Sequence, residues 1–265
     1  MRYCRFEFKK QTGYGLIESV AGRDAITRLL LKPPEDTAVQ GEFPSMAIDP
    51  IPFSDAAVLA PVRPSKIICV GRNYRAHAAE LGNEVPQEPL LFFKPPSALL
   101  APGRAILRPK ASERTDYEGE LGVVIGRRCH KLSPEADVRS YILGYTAVND
   151  FTARDLQKKD SQWTRAKGFD TFCPVGPLVT NEIDPWAGVT VETRVNGQVR
   201  QHGNTRDFIF PLDVIIRYAS HIMTLLPGDL IPTGTPEGVG PVVAGDVIEV
   251  TVEGVGTLRN PVTDE

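Results

Sequence analysis

The stretch TDYEGELGVVIG, residues 115–126, limits the fold more than any other part of this chain. Asp116, Glu118 and Glu120 stand at every second position, and the apolar, β-branched run LGVVIG follows without a break. In an extended strand, side chains i, i+2 and i+4 share one face, so the three acids are neighbours. The apolar continuation suits a strand entering a core. Such a chain must build a sheet with carboxylates crowded where that strand enters the interior. Like charges so placed repel unless they stay solvated at a strand edge or a cation sits among them. Both readings stand on this stretch alone.

The remaining segments predict a mixed, largely antiparallel α+β protein. CRFEF and GLIESV read as strands of a small N-terminal subdomain, residues 1–62, ending near the extended, proline-spaced APVRPS. The main domain, residues 63–265, opens with the apolar KIICVG. NYRAHAAEL then predicts a helix with Asn73 as N-cap, and SPEADVRSYIL another with Ser133 as N-cap and Pro134 at its first position. YTAVND reads as a strand ending in Asp150, followed by a helix in FTARDLQKKD. Asn196-Gly197, between alternating segments, predicts a tight hairpin. PLDVIIRYASHIMTLL predicts an amphipathic helix with Val214, Ile215, Tyr218, Ile222 and Leu225 on its apolar stripe. Strands outnumber helices and do not alternate with them as in a doubly wound sheet.

Composition excludes several classes of function. A net charge of −3 with no basic tract argues against nucleic acid as a partner. Apolar runs such as AITRLLL fall far short of the ~20 residues of a membrane span, and MRYCRFEFKK lacks the apolar stretch of a signal peptide. The four cysteines (Cys4, Cys69, Cys129, Cys173) form no CxxC pair, so buried free thiols in a cytoplasmic protein are expected.

Several residues have side chains suited to chemistry. Asp150 adds a carboxylate to the acidic strand, and an oxygen-only set without clustered His or Cys suits a hard ion, magnesium or manganese before zinc. His77 and Glu80, at i and i+3, adjoin on one helical face. There a carboxylate orients an imidazole, although a surface ion pair has the same spacing. Lys167, in WTRAKGFD, sits among apolar and aromatic residues and by itself reads as a snorkelling surface lysine. PTGTPEGVG reads as a plain turn or as a glycine-rich loop facing a ligand, and it lacks the phosphate-binding GxxxxGK[ST] pattern.

Taken in order, VGRNYRAHAAEL, FFKPPSAL, DYEGELGVVIG, YTAVNDFTARDLQ, WTRAKGFDTFCPVGP, VNGQVRQ, LLPGDLIPTGTPEGVGPV and GDVIEVTVEGVGTLRN resemble the fumarylacetoacetate hydrolase family over roughly residues 64–262. The likeness is to bacterial members of the acylpyruvase and 2-hydroxyhepta-2,4-diene-1,7-dioate isomerase types. It implies a mixed β-rich roll with short helices, a small variable N-terminal segment and a homodimer. It also implies metal ligands at Glu118, Glu120 and Asp150, with Asp116 supporting them from outside the triad. The water-activating dyad would be His77 and Glu80, the active-site lysine Lys167, and the substrate contacts Gln157 and Thr235. Arg154, in TARD, reads as structural. The implied cofactor is magnesium, with manganese or calcium as alternatives, and the implied partner is a small 2-oxo acid. The leading expectation is C–C bond hydrolysis of an acylpyruvate through a metal-stabilised enolate. Isomerisation and decarboxylation on the same site are the alternatives, and a non-catalytic metal-binding homologue is a distant one.

Overall fold

A computed structural model describes residues 1–37, 43–80, 82 and 84–265. Its strands, among these residues, fall into sheets of twelve, five and three. The main path of the largest runs Ser45–Pro52, Arg23–Leu30, Gln11–Val20, Arg2–Phe8, Cys173–Thr180, Ile142–Asn149, Gly119–Ile125, Leu230–Pro232, Ile67–Gly71 and Leu90–Lys94. Most neighbours are antiparallel. Leu230–Pro232 beside Ile67–Gly71 is a parallel exception. The N-terminal strands continue this sheet, because Arg2 and Tyr3 pair with Thr180 and Val179.

The five-stranded sheet covers one face of the large one. Leu121, Val123 and Ile125 point toward it and share a core with Val191, Val250 and Val252, while Val124 points the other way, to Val148 and Leu230. Gly119 permits the close approach of the two sheets. A Cβ there would stand 2.0 Å from Thr193 Oγ1 and 3.1 Å from Val250, which explains the glycine between Glu118 and Glu120. The predicted hairpin forms between Thr190–Val195 and Gln198–Asn204, with φ 51° at Asn196 and 77° at Gly197, as a two-residue turn with both centres left-handed requires.

Three local expectations need correction. The helix Leu212–Ile222 buries Leu212, Ile215, Ile216 and Ala219, whereas Val214 and Ile222 are exposed. The stripe is therefore rotated from the predicted one, and Leu225 is buried beyond the helix end. SPEADVRSYIL forms only a 3-10 turn, Val138–Tyr141, capped by Asp137 rather than Ser133, because Ile142 already starts a strand. Asn73 does not cap the helix Arg75–Glu80. Its side chain accepts from Phe210 N (2.8 Å) and donates to Thr233 O (2.8 Å), pinning the turn ahead of the helix to two distant segments. Leu81, at the end of NYRAHAAEL, lies outside the described residues. All four cysteines are buried and free.

Candidate active site

Strand register assembles the acidic centre. Gly119 pairs with Asn149, so the residues just outside that pair, Glu118 and Asp150, meet across the ladder. Asp150 N donates to Glu118 O (2.8 Å), and Glu118 N donates to Asn149 Oδ1 (2.9 Å). Glu120 lies two residues further in along the strand, on the same face as Glu118. Carboxylate oxygens of Glu118, Glu120 and Asp150 all lie within 4.8 Å of one another, and all three residues are buried.

Cations close around them. Lys167, 1% exposed, donates to Glu118 Oε2 (2.8 Å) and Asp150 Oδ2 (2.6 Å). Arg154 reaches Asp116 Oδ2 (2.8 Å), Glu118 Oε1 (2.5 Å) and Gln157 Oε1 (2.6 Å). Lys94 approaches from behind, donating to Asp150 Oδ1 (2.5 Å) and Phe151 O (3.0 Å). Asp116 is fully buried, and Arg114 grips it as well. Burial alone would push the Glu118 carboxyl up, but Lys167, Arg154 and His77 outweigh it and hold it well below the usual carboxylate range. Burial also opposes the charge on Lys167, yet Asp150 and Glu118 keep its pKa above the ordinary lysine value.

Among the described residues, no cationic side chain bonds to Glu120. It accepts one bond from Gly234 N (2.8 Å), while burial, and then Asp150 and Glu118, push its carboxyl well above the usual range. A buried carboxylate facing two others, satisfied by a single neutral amide, is suited to an added positive charge. With oxygen donors only, the group fits a hard divalent cation, for which Glu118, Glu120 and Asp150 would be the ligands.

His77, Glu80, Gln157, Lys167 and Thr235 line the same cavity of about 530 Å³ as the triad, so all eight predicted site residues are together. His77 Nδ1 lies 3.4 Å from Glu80 Oε2, and the glutamate is held in turn by Gly238 N (3.1 Å). Burial lowers the His77 pKa against the raising effect of Glu118. Thr235 donates to Gly119 O (2.9 Å) and accepts from Gln201 Nε2 (2.8 Å), which fixes its hydroxyl at the cavity wall. Phe92 and Trp163, with ring centroids 5.2 Å apart, give that wall an apolar stretch.

Sequence reasoning missed two residues. Arg154, read as structural, lines the cavity and bridges Asp116, Glu118 and Gln157. Lys94 was not singled out at all. A signal for Arg154 existed, since three alternating acids require positive charge close by. The position of Lys94 depends on pairing between Ile67 and Lys94, which local sequence does not encode.

Comparison with known proteins identifies the family and the fold. The family profile described as fumarylacetoacetate (FAA) hydrolase C-terminal matches residues 66–263. The crystal structure of 5-carboxymethyl-2-hydroxymuconate delta-isomerase from Mycobacterium smegmatis is 42% identical with a TM-score of 0.89, covering 100% of both chains. That of 2-hydroxyhepta-2,4-diene-1,7-dioate isomerase from Mycobacterium marinum is 41% identical with a TM-score of 0.88, covering 100% of this chain and 99% of that one. The oxaloacetate tautomerase YisK of Bacillus subtilis is 43% identical over 79% of this chain and 74% of its own length. With three quarters of its length inside the family profile and these relatives across the same residues, the chain belongs to the fumarylacetoacetate hydrolase family.

Proposed function

We propose that this protein is a magnesium-dependent enzyme that moves a proton between the enol and keto forms of a 2-oxo acid, as an isomerase or tautomerase. The observation that carries this reading is that the buried acidic triad and the His77–Glu80 pair face one cavity. Magnesium held by Glu118, Glu120 and Asp150 would supply Lewis-acid polarisation of the 2-oxo carbonyl. The chain's own groups do the rest. Glu80 accepts from the Nδ1 side of His77, which leaves Nε2 to take the proton from the carbon beside the carbonyl and deliver it to the carbonyl oxygen to give the enol. The reverse transfer gives the keto form; in an isomerase the proton goes instead to a carbon further along the conjugated chain. Burial keeps that imidazole neutral near pH 7, as a base must be. The Lys167 ammonium, kept charged by its carboxylate neighbours, stabilises the negative charge that develops on the substrate oxygen. Gln157 keeps its amide N–H groups for the substrate's carboxylate, since Arg154 bonds only its Oε1, and Thr235 would donate there by turning its hydroxyl away from Gly119 O.

The named activities of the Mycobacterium and Bacillus relatives support proton transfer over the hydrolysis that the motifs first suggest. Hydrolysis stays as the second reading, because the same dyad could activate a water for attack on an acylpyruvate. The test is parallel assay of enol-to-keto conversion of oxaloacetate, isomerisation of a 2-hydroxy-diene-dioate and cleavage of an acylpyruvate, each with magnesium and with chelator. Magnesium-dependent turnover of either of the first two, exceeding cleavage, is expected. Cleavage dominating selects the second reading, and no turnover of any of them rejects both.

A further inference from the structure

The cavity carries more positive charge than the acidic centre uses. Five cationic side chains line it against four carboxylates. Arg154 and Lys167 are bound to the triad and to Asp116, and Arg114 is paired with Asp116. The other two are Arg72 and Lys158, and among the described residues neither makes a hydrogen bond or ion pair. Lys158 is exposed, on the helix Arg154–Lys159 beside Gln157, and Arg72 is half-buried. A half-buried guanidinium without an anion has lost part of its hydration and gained no partner, so its position suits an incoming carboxylate.

The backbone supports this. Arg72 has φ 56°, a left-handed conformation that disfavours any residue with a Cβ and that glycine adopts freely. It is held there from both sides. Gly71 ends a strand where a Cβ would stand 3.1 Å from Leu90 and 3.4 Å from the Trp163 ring, and Asn73 is pinned to Phe210 and Thr233. An arginine kept where glycine would be relaxed points to a use for its side chain.

The surroundings say which part of a ligand would meet it. Lys167 lies 5.0 Å from the Phe92 ring, Phe92 packs on Trp163, and both rings line the cavity together with Gly71 and Arg72. A continuous, largely aromatic wall therefore joins the acidic centre to the Arg72 turn. Carbon chain lies well against such a wall, and a charged group fits at its cationic end. We infer that Arg72, assisted by Lys158 on the exposed side, is a specificity-determining residue that binds a second carboxylate of the substrate. The enzyme would then select 2-oxo dicarboxylates over monocarboxylates of the same length. This inference rests on the 2-oxo acid reading above.

The experiment measures magnesium-dependent binding by calorimetry for oxalate, which has only the head group, and for pairs matched in carbon number. The pairs are 2-oxoglutarate with 2-oxopentanoate and 2-oxoadipate with 2-oxohexanoate. Wild type should prefer at least one diacid over its monoacid by about tenfold or more, the scale of a charge-assisted pair. Arg72→Ala should shrink that preference to about threefold or less while oxalate affinity is kept, and Lys158→Ala should shrink it less. Arg72→Gly removes the same side chain and relaxes the backbone, so it gives the same loss in a protein at least as well folded as the alanine variant. A diacid preference that survives both Arg72 variants, or none in wild type at either length, overturns the inference while leaving the 2-oxo acid site intact. Failure of wild type to bind oxalate with magnesium overturns that reading and this inference together.

Discussion

Lys94 offers a demanding test of how the acidic centre is held, because nothing in its local sequence singles it out. Its ammonium is buried, 1% exposed, and its partners are Asp150 Oδ1 at 2.5 Å and Phe151 O at 3.0 Å. Lys94→Met keeps the length and most of the volume of the side chain and removes only the charge and its donors. Breaking one side of a buried pair typically costs about 3–5 kcal/mol, since the remaining charge stays buried. Asp150 still has Lys167 on Oδ2 at 2.6 Å, which places the cost near the lower end, about 3 kcal/mol. At about 2–4 °C per kcal/mol for a chain of this size, Tm should fall by roughly 6–12 °C.

The assay is urea and thermal unfolding in chelator, so that ion binding adds nothing to the native state. Asp150→Asn and the double variant complete the cycle. Removing both charges avoids the buried orphan, so the double variant should be more stable than the sum of the singles predicts, by about 1 kcal/mol or more. A Lys94→Met cost under about 1 kcal/mol, or singles that add to within about 0.5 kcal/mol, refutes the view that this pair is a coupled, desolvated unit.

Other outcomes follow from the same geometry. Glu118→Gln and Asp150→Asn should each abolish turnover and weaken magnesium binding in calorimetry, while Asp116→Asn, acting through Arg154 and Arg114, should cost on the order of tenfold. His77→Gln should lower proton transfer by roughly 10²–10⁴-fold and leave magnesium-dependent oxalate binding nearly unchanged. Because burial holds the His77 pKa below its ordinary value, the base stays unprotonated to lower pH than a solvated imidazole. The acid limb of kcat/KM should therefore lie below the usual imidazole range in wild type and be absent in His77→Gln. The family likeness implies a homodimer, and sedimentation at micromolar concentration should show a dimer; a monomer alone would count against it.

Local chemistry made some of this fold legible and left the rest hidden. The hairpin at Asn196-Gly197 could be read because two adjacent left-handed residues are a property of those residues themselves. The acidic strand could be read because alternation fixes which side chains share a face. The apolar face of Leu212–Ile222 was misjudged because Ile222 and Val214 fit a helical stripe as well as Leu212 and Ile216 do. Only the packing against neighbouring elements distinguishes the two stripes. Asn73 was read as a cap because capping is its commonest local use, whereas here its amide is spent on segments about 140 and 160 residues away in the chain. Such long-range demands leave no mark in a short window of sequence.

The candidate site divides along the same line. Its anions were legible because they repeat on one strand, but most of its cations were not, because each arrives alone from a different element. Arg154 and Lys167 come from two short helices and Lys94 from a strand at the end of the large sheet. Three buried carboxylates require compensation, and a single divalent ion cannot also account for the buried Asp116 beside them. Counting that fourth acid makes an arginine in reach of it a necessity rather than a structural accident. Arg154, bonded at once to Asp116 and Glu118, meets that need and thereby links the supporting acid to the triad. Neutralising it should consequently disturb both carboxylates together, so that Arg154→Met lowers magnesium affinity more than Asp116→Asn does.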